Sequence, residues 1–312
     1  MTGPSDHVPR DEGWPEARGP HLPDRLTSIP RPVWPFVALA VIGAIAYWSA
    51  TRGAEADTVM WTVLGAVGEV SMTLLGAALF LRHPGAVRSM PLLVLGVSLI
   101  AAEQAMRLFR SPLQPVFDAV TTGTDGDLTG SMIASSAFLQ VASIVGLLGL
   151  LCLARGLAAA RRFEGGASRL VLVVLVALSV VSVGFGTSLV LRLPSDEVVG
   201  GLPSYLAAAA IGLGVSMATS YLAAVAFGGW RGGEEPSAAW LLVALWGMVT
   251  IGVNALVTFT SVVIGLEQDL SWAFVLSVTA AGLAMLGAFA LGLPSVDPLA
   301  SSSSESAGRD AV

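Results

Sequence analysis

The sequence predicts an all-α fold: a polytopic bundle of about eight transmembrane helices with both termini in the cytoplasm. Three observations predict it. The chain of 312 residues has a mean hydropathy of +0.76, and only 12% of its residues are charged. Its apolar stretches are long and do not alternate with polar residues, which favours helices over a closed barrel, the other structure that satisfies the backbone in lipid. Its arginines fall mostly on one side of these stretches.

Eight stretches approach the length of about 20 mostly apolar residues that a spanning helix needs. They are roughly 33–50, 59–81, 89–109, 131–154, 169–192, 203–228, 237–264 and 271–293.

The first span follows segment 1–32, a polar, proline-rich stretch that cannot bury apolar area and is predicted to be a disordered cytoplasmic tail. Spans two and three are joined by the tight turn 82–88, which predicts antiparallel neighbours. The longest outer loop is predicted at about 110–130. This loop is too short for an independent ligand-binding domain, and the inner connections are shorter still. Spans five to eight complete the transmembrane domain 33–293, and segment 294–312 is predicted to be a second disordered tail.

Orientation follows from the arginines, because cytoplasmic loops of membrane proteins carry an excess of basic residues. With the amino terminus inside, the outer side holds only Arg52, Arg107, Arg110 and Arg192, and the other twelve of the sixteen arginines lie inside. The predicted location is therefore the cytoplasmic membrane. All basic residues are arginine, which is typical of a GC-rich genome such as those of actinomycetes.

Composition also excludes several classes of protein. The formal net charge of −6 leaves no basic surface for nucleic acid. A single cysteine, Cys152, excludes an internal disulfide and a cysteine-ligated metal. The three histidines lie outside the predicted spans, so a haem held by intramembrane histidines is not expected. No cofactor is predicted, and the expected partners are the lipid bilayer and a membrane or cytoplasmic protein.

Two short matches indicate an internal duplication. Residues 69–72 resemble residues 214–217, and residues 92–94 resemble residues 241–243, at spacings of 145 and 149 positions. Two parallel repeats of four spans would produce these matches, as in some transporters. A chance match between apolar helices would produce them as well.

The ionisable residues inside the spans are the candidate functional residues, because charge within a membrane is costly. Glu69 lies near the middle of span two. At a rise of ~1.5 Å per residue, this position is near the midplane of the bilayer. Glu103 lies in span three, and Arg107 follows one turn later on the same face. Spans two and three run antiparallel from the turn 82–88, and Glu69 and Glu103 are at similar distances from this turn, so they lie at similar depth in the membrane. The sequence leaves three alternatives open for them: a buried packing pair with Arg107, a proton or cation site, or a ligand-recognition site.

The neutral polar residues have two interpretations. Asn254, Thr258 and Ser261 form a stripe on span seven that lines a polar path or seals a packing seam. Ser216, Thr219 and Ser220 on span six have the same two interpretations. Gln140 is interpreted as an interhelical hydrogen-bond donor or acceptor. Gln104, next to Glu103, is expected on another helix face.

One region resembles a known family. Residues 74–84 read Leu-Leu-Gly-Ala-Ala-Leu-Phe-Leu-Arg-His-Pro, and after a short break residues 91–97 read Pro-Leu-Leu-Val-Leu-Gly-Val. An apolar helix that ends in Arg-x-Pro, followed by a Leu-Leu-x-x-Gly helix, is similar to the multi-span input domains of actinobacterial sensor histidine kinases. The resemblance covers spans two to seven and implies a sensory module. The kinase region is expected to be missing, so output would pass through a separate partner.

Three functions are compatible with these patterns. The preferred hypothesis is a non-catalytic sensory or accessory module for a partner protein. The alternative is a small transporter or permease subunit that uses Glu69 and Glu103. The second alternative is an intramembrane enzyme with these two residues as acid and base on a lipid-like substrate. No catalytic residue set and no metal motif is recognised in the sequence.

Overall fold

The computed structural model describes residues 31–50, 56–83, 85–121, 128–160, 166–192, 201–234, 237–259 and 271–291. The regular secondary structure of these ranges is entirely helical, which confirms the predicted all-α class. The helices are α1 (Val33–Ala50), α2 (Ala56–Thr73), α3 (Leu75–Arg82), α4 (Ala86–Ser89), α5 (Pro91–Thr121), α6 (Leu128–Ala160), α7 (Gly166–Val190), α8 (Gly201–Arg231), α9 (Ser237–Phe259) and α10 (Ser271–Ala290).

Six helical segments within the described residues are long and apolar enough to cross a membrane, so the chain is a multi-pass membrane protein. They are Val63–Arg82, Pro91–Arg110, Gly130–Leu157, Gly166–Ser188, Gly201–Arg231 and Ser237–Phe259. Two further apolar helical segments, Val33–Ser49 and Thr279–Ala290, are shorter. The predicted tails 1–32 and 294–312 lie outside the described residues, except for the short turn that leads into α1.

The predicted outer loop at 110–130 is wrong over most of its length. Helix α5 continues to Thr121 through Pro112 and Pro115, and α6 begins at Leu128. Proline and polar residues usually mark a loop, because proline lacks the N–H that a helix needs. Here side-chain hydrogen bonds hold the two helix ends together: the Arg110 Nε donates to Ser135 Oγ at 3.1 Å and the Gln114 Nε2 donates to Ser131 Oγ at 2.8 Å.

Six of the described helices form a closed ring. Neighbours around the ring are α2 and α5, α5 and α6, α6 and α8, α8 and α9, α9 and α10, and finally α10 and α2. The other two long helices pack outside it: α1 lies against α2 and α5, and α7 lies against α8 and α9. The predicted adjacency of spans two and three is confirmed by the contact between α2 and α5.

One half of the ring is filled with apolar side chains. This apolar half contains α3, the beginnings of α5 and α9, and the ends of α6, α8 and α10. Its buried side chains form one contiguous core that includes Leu75, Leu79, Leu93, Val97, Leu153, Leu157, Leu222, Trp240, Val243, Met285 and Phe289. We call the other half, with the ends of α5, α7 and α9 and the beginnings of α6 and α8, the polar half.

Glycines allow the helix backbones in the ring to approach closely. A Cβ atom built at Gly149 of α6 would lie 2.9 Å from the carbonyl oxygen of Gly96 on α5. Helices of membrane proteins associate through such small residues, because lipid provides no hydrophobic driving force between them. Gly96 and Gly149 lie in what we call the glycine seam between α5 and α6, and the extensive contact between these two helices follows from it.

The break between α2 and α3 lies one turn after Glu69. Ser71 Oγ donates a hydrogen bond to Val67 O at 2.7 Å, and Thr73 Oγ1 donates to Glu69 O at 2.8 Å. Hydroxyl groups that bond back to the preceding turn bend helices, and the helix is interrupted at Leu74. The i→i−4 hydrogen bonds continue across this position, from Leu74 N to Val70 O at 3.0 Å and from Ala78 N to Leu74 O at 2.9 Å, so α2 and α3 belong to one span.

Candidate functional site

A cavity of about 230 Å³ lies at the centre of the ring. We call it the central cavity. All six ring helices contribute to its wall, which consists of Glu69, Met72, Ile100, Glu103, Gln104, Arg107, Leu150, Val215, Thr219, Trp246, Thr250, Asn254 and Ala281. Its charged groups are two carboxylates and one guanidinium, so with all three ionised the wall carries one net negative charge.

The structure brings Glu69 and Glu103 to the same cavity, a point that the sequence left open. The two carboxylates have different surroundings. The Glu69 Oε2 atom is buried, and no described residue forms a hydrogen bond with it. A buried carboxylate oxygen without a partner is costly, because it has lost its water without gaining a donor. Glu69 is therefore a site for a proton, a water molecule or a cation.

Glu103 forms an ion pair with Arg107, as its position one turn away predicts. Arg107 Nη2 and Nε donate to Glu103 Oε1 at 2.7 and 3.0 Å, and Nη2 also donates to Ser143 Oγ at 3.1 Å. The side chain of Glu103 is 13% exposed and that of Arg107 is 31% exposed. The pair is thus partly buried, internally neutral and anchored to α6 through Ser143.

Gly146 makes room for this pair. A Cβ atom at position 146 would collide with the Glu103 carboxylate, so only glycine lets that carboxylate lie against α6. Gly146 and Gly149 belong to the same seam between α5 and α6. The seam that packs the two helices therefore also positions the charged group.

A second cavity, of about 550 Å³, lies in the polar half between α5, α6, α7, α8 and α9. We call it the polar cavity. Hydroxyl and amide groups dominate its polar lining, which comprises Glu103, Arg107, Ser136, Gln140, Ser143, Ser182, Tyr205, Ser216, Asn254 and Thr258. Tyr205 lies about one turn from the start of α8, so the cavity extends close to the end of the bundle.

Four residues line both cavities: Glu103, Arg107, Val215 and Asn254. The ion pair and Asn254 therefore form the partition between the two spaces. Hydrogen bonds fix the helices beside it: Thr258 Oγ1 donates to Asn254 O at 2.9 Å, and Ser182 Oγ on α7 donates to Thr258 Oγ1 at 3.0 Å. A movement of this partition would join the cavities.

The neutral polar residues predicted from the sequence fall into two groups. Gln140 bonds across helices as predicted, with its Nε2 donating to Ser204 Oγ at 3.0 Å, and it also lines the polar cavity. Ser216 lines the polar cavity and Thr219 the central cavity, whereas Ser220 is buried and donates to Ser216 O. Asn254 and Thr258 line the polar cavity, and Ser261 lies outside the described residues.

Sequence reasoning placed one residue wrongly and missed others. Gln104 was expected on another face, but it lines the central cavity, because two consecutive helix positions can both reach a cavity at the centre of a ring. Thr250 was missed, although Thr250, Asn254 and Thr258 recur every four residues on α9 and this spacing predicts a shared face. Ser143 and Tyr205 gave no signal. Ser143 bonds to Arg107, which is distant in the sequence, and Tyr205 lines a cavity whose other walls are distant in the sequence.

No protein-family model, no curated protein and no solved structure matches this chain. The site is therefore interpreted from its own geometry and chemistry.

Proposed function

We propose that this protein is a membrane transporter that binds a small polar solute in the polar cavity. The polar cavity itself carries the proposal. Pockets for small molecules have volumes of about 300–1,000 Å³, and the polar cavity, at about 550 Å³, lies within that range. A space of this size and polarity inside a membrane bundle is expensive unless it is hydrated or holds a solute.

The lining favours an uncharged or zwitterionic solute. Glu103 and Arg107 neutralise each other, and the remaining polar groups are hydroxyls and amides. These groups donate and accept hydrogen bonds without imposing a net charge. A solute with both donors and acceptors, such as an amino acid, a polyol or a sugar, matches these polar groups better than an anion does.

The proposal includes eight spans with both termini in the cytoplasm. Helix α10 has 20 residues, about 30 Å at 1.5 Å per residue, which equals the thickness of the hydrocarbon core. Helix α1 has 18 residues and is apolar along its length. The arginine distribution supports the orientation. In this orientation the polar cavity lies in the outer half of the membrane.

The helix pairing supports a duplication of four spans plus four spans. In the first half, span one (α1) contacts spans two (α2) and three (α5), span two contacts span three, and span three contacts span four (α6). In the second half, α7, α8, α9 and α10 contact one another in the same order. The contacts between halves are equivalent as well: α6 packs on α8, and α10 packs on α2. Repeats of this kind are common in secondary transporters.

A sensory or accessory role is the second candidate. The resemblance of spans two to seven to kinase input domains favours it. A solute cavity that is closed at one end by an apolar core would also serve a receptor. In that case the protein would act on a partner protein rather than move its ligand. An acid/base enzyme is less favoured, because the Arg107 guanidinium occupies Glu103.

The test uses two matched substitutions. Gly212 lines the polar cavity, and a Cβ atom there meets nothing within 4 Å. Gly184 on α7 is exposed, and its Cβ position is equally open. Gly212→Leu therefore adds a side chain to the cavity wall at a position where its Cβ atom meets no neighbour, and Gly184→Leu adds the same side chain at the exposed surface.

The measurement is the thermal shift of the purified protein in detergent against a panel of amino acids, polyols, sugars and nucleosides. We expect at least one compound to raise the Tm of the wild type and of Gly184→Leu, but not that of Gly212→Leu. Uptake of this compound into proteoliposomes supports transport, and specific binding without uptake supports the sensory role. A panel that shifts no Tm, or a shift that Gly212→Leu retains, contradicts the proposal.

A further inference from the structure

We propose that the central cavity is a binding site for a monovalent metal cation, with the Glu69 carboxylate and the Thr250 hydroxyl as its ligands. This site is distinct from the polar cavity, and it does not depend on the proposed function. Glu69 comes from α2 and Thr250 from α9, two ring helices that belong to different halves of the chain.

Two unsatisfied oxygens point to a bound species. Glu69 Oε2 and Thr250 Oγ1 are both buried, and neither has a hydrogen-bond partner among the described residues. Both residues line the central cavity. Buried polar atoms are almost always paired, with protein or with ordered water. Two unpaired oxygens on the wall of one cavity therefore indicate that the cavity holds something that binds oxygen.

The donor set favours a hard cation. The other residues of the central cavity wall with side-chain oxygens are Thr219, Gln104, Asn254 and Glu103, and those whose polar groups are N–H donors are Arg107 and Trp246. Carboxylate, hydroxyl and amide oxygens are the ligands that hard metal ions prefer. The described wall contains no cysteine and no histidine, and its one sulfur atom is the thioether of Met72.

Charge balance favours a single positive charge. Within the described wall Arg107 neutralises Glu103, so Glu69 supplies the one uncompensated negative charge. Arg110, the next arginine of α5, lies outside this wall and donates its hydrogen bond to Ser135 on α6. A monovalent cation brings the cavity to neutrality, whereas a divalent cation would leave an excess positive charge in a region of low dielectric constant. At about 230 Å³ the cavity holds the ion together with several water molecules.

The competing occupant is a proton on Glu69. A proton neutralises the carboxylate, but it leaves the hydroxyl oxygen of Thr250 without a partner. The two occupants differ in their dependence on salt. A metal site responds to the identity of the cation at constant pH, and a protonated carboxylate responds to pH alone.

The test is a Na⁺ titration of the full chain in detergent. The Tm is followed by intrinsic tryptophan fluorescence, with N-methyl-D-glucamine chloride replacing NaCl at constant ionic strength. We expect the Tm to rise with Na⁺ and to saturate, because a ligand that binds only the folded state stabilises it. Glu69→Gln and Thr250→Val are each expected to raise the half-saturating Na⁺ concentration by at least about tenfold, which corresponds to 1.4 kcal/mol.

The matched control is Thr187→Val, the same substitution on α7, which packs outside the ring; Thr187 lines neither of the two cavities. It should keep the Na⁺ response of the wild type. If Glu69→Gln does not fold, Thr250→Val decides, since it replaces one hydroxyl by a methyl group of similar size. A Tm that is the same in both salts, or a Na⁺ response that Thr250→Val retains in full, overturns the proposal. A Tm that changes with pH and not with Na⁺ also overturns it and assigns the cavity to a proton.

The test of the cation site can be distinguished from the test of the proposed solute binding. Gly212→Leu blocks only the polar cavity, so it should lose solute binding and keep the Na⁺ response. A Na⁺ response without any bound solute would refute the proposed function and leave the cation site intact.

Discussion

The two halves of the bundle use the same helices for opposite purposes. In the apolar half, side chains such as Leu79, Leu153 and Leu222 are almost fully buried and fill the ring. In the polar half, the same α6 and α8 present Ser143, Tyr205 and other polar side chains to a cavity of about 550 Å³. The difference shows that the ring is closed by packing at one end and held apart at the other. Such asymmetry is what a protein needs if it admits a solute from one side of a membrane at a time.

The largest expected effect comes from the glycine seam. Gly149→Leu places a side chain where even a Cβ atom would lie 2.9 Å from the Gly96 carbonyl oxygen, so α5 and α6 must separate. We expect this variant to lose its monodisperse peak in size-exclusion chromatography. Gly212→Leu on the wall of the polar cavity should elute like the wild type. Equal behaviour of the two variants would contradict the contrast between the halves.

A smaller effect is expected from leucine truncation on α6. Leu153 is 1% exposed in the apolar core, and Leu153→Ala should lower the free energy of unfolding by about 2–5 kcal/mol, because it leaves a cavity in a packed region. Leu139 lines the polar cavity, where space already exists, so Leu139→Ala should cost well under half as much. Unfolding titrations in mixed micelles measure both values. A Leu139→Ala cost as large as that of Leu153→Ala would show that the polar half is packed after all.

The smallest effect is expected at the carboxyl-terminal end of α5. Hydrogen bonds donated by Ser131 and Gln114 hold the pKa of the Asp118 carboxyl below its ordinary value. The unfolded state binds this proton more tightly, so the stabilisation is present above an unfolded-state pKa of about 3.9 and is lost as the pH falls through the folded-state pKa. The Tm difference between the wild type and Asp118→Asn should therefore shrink between roughly pH 5 and pH 3. A Tm difference that is constant over this range would mean that the network does not stabilise the charged carboxylate.

The sequence predicted the all-α class and the shared helix face of Glu103 and Arg107, because both depend on local patterns. Long apolar runs specify spanning helices, and the spacing of Glu103 and Arg107 places them on one face. The arrangement of helices in a ring could not be predicted, since it depends on close approaches such as that between Gly96 and Gly149, which are 53 positions apart in the sequence.

The two cavities could not be predicted from the sequence for a related reason. The wall of the central cavity needs one side chain or more from each of six helices, and no local pattern records which helices meet. Glu69 could be singled out because an intramembrane carboxylate is rare. Thr250 could not be distinguished from other membrane threonines until the structure placed its hydroxyl beside the same cavity. The predicted loop after Arg110 failed because interhelical hydrogen bonds outweighed the local effect of two prolines.

Thiol labelling in intact membranes tests the central contrast most directly. Cys152 is the single cysteine of the chain, so Cys152→Ala provides a background for introduced cysteines. On this background we predict that a membrane-impermeant maleimide added from the outer side labels Ser216→Cys, on the wall of the polar cavity, and does not label Ala223→Cys, two turns further along α8 in the buried core. Labelling of Ala223→Cys, or protection of Ser216→Cys from both sides of the membrane, would contradict the account of a bundle that is open in one half and sealed in the other.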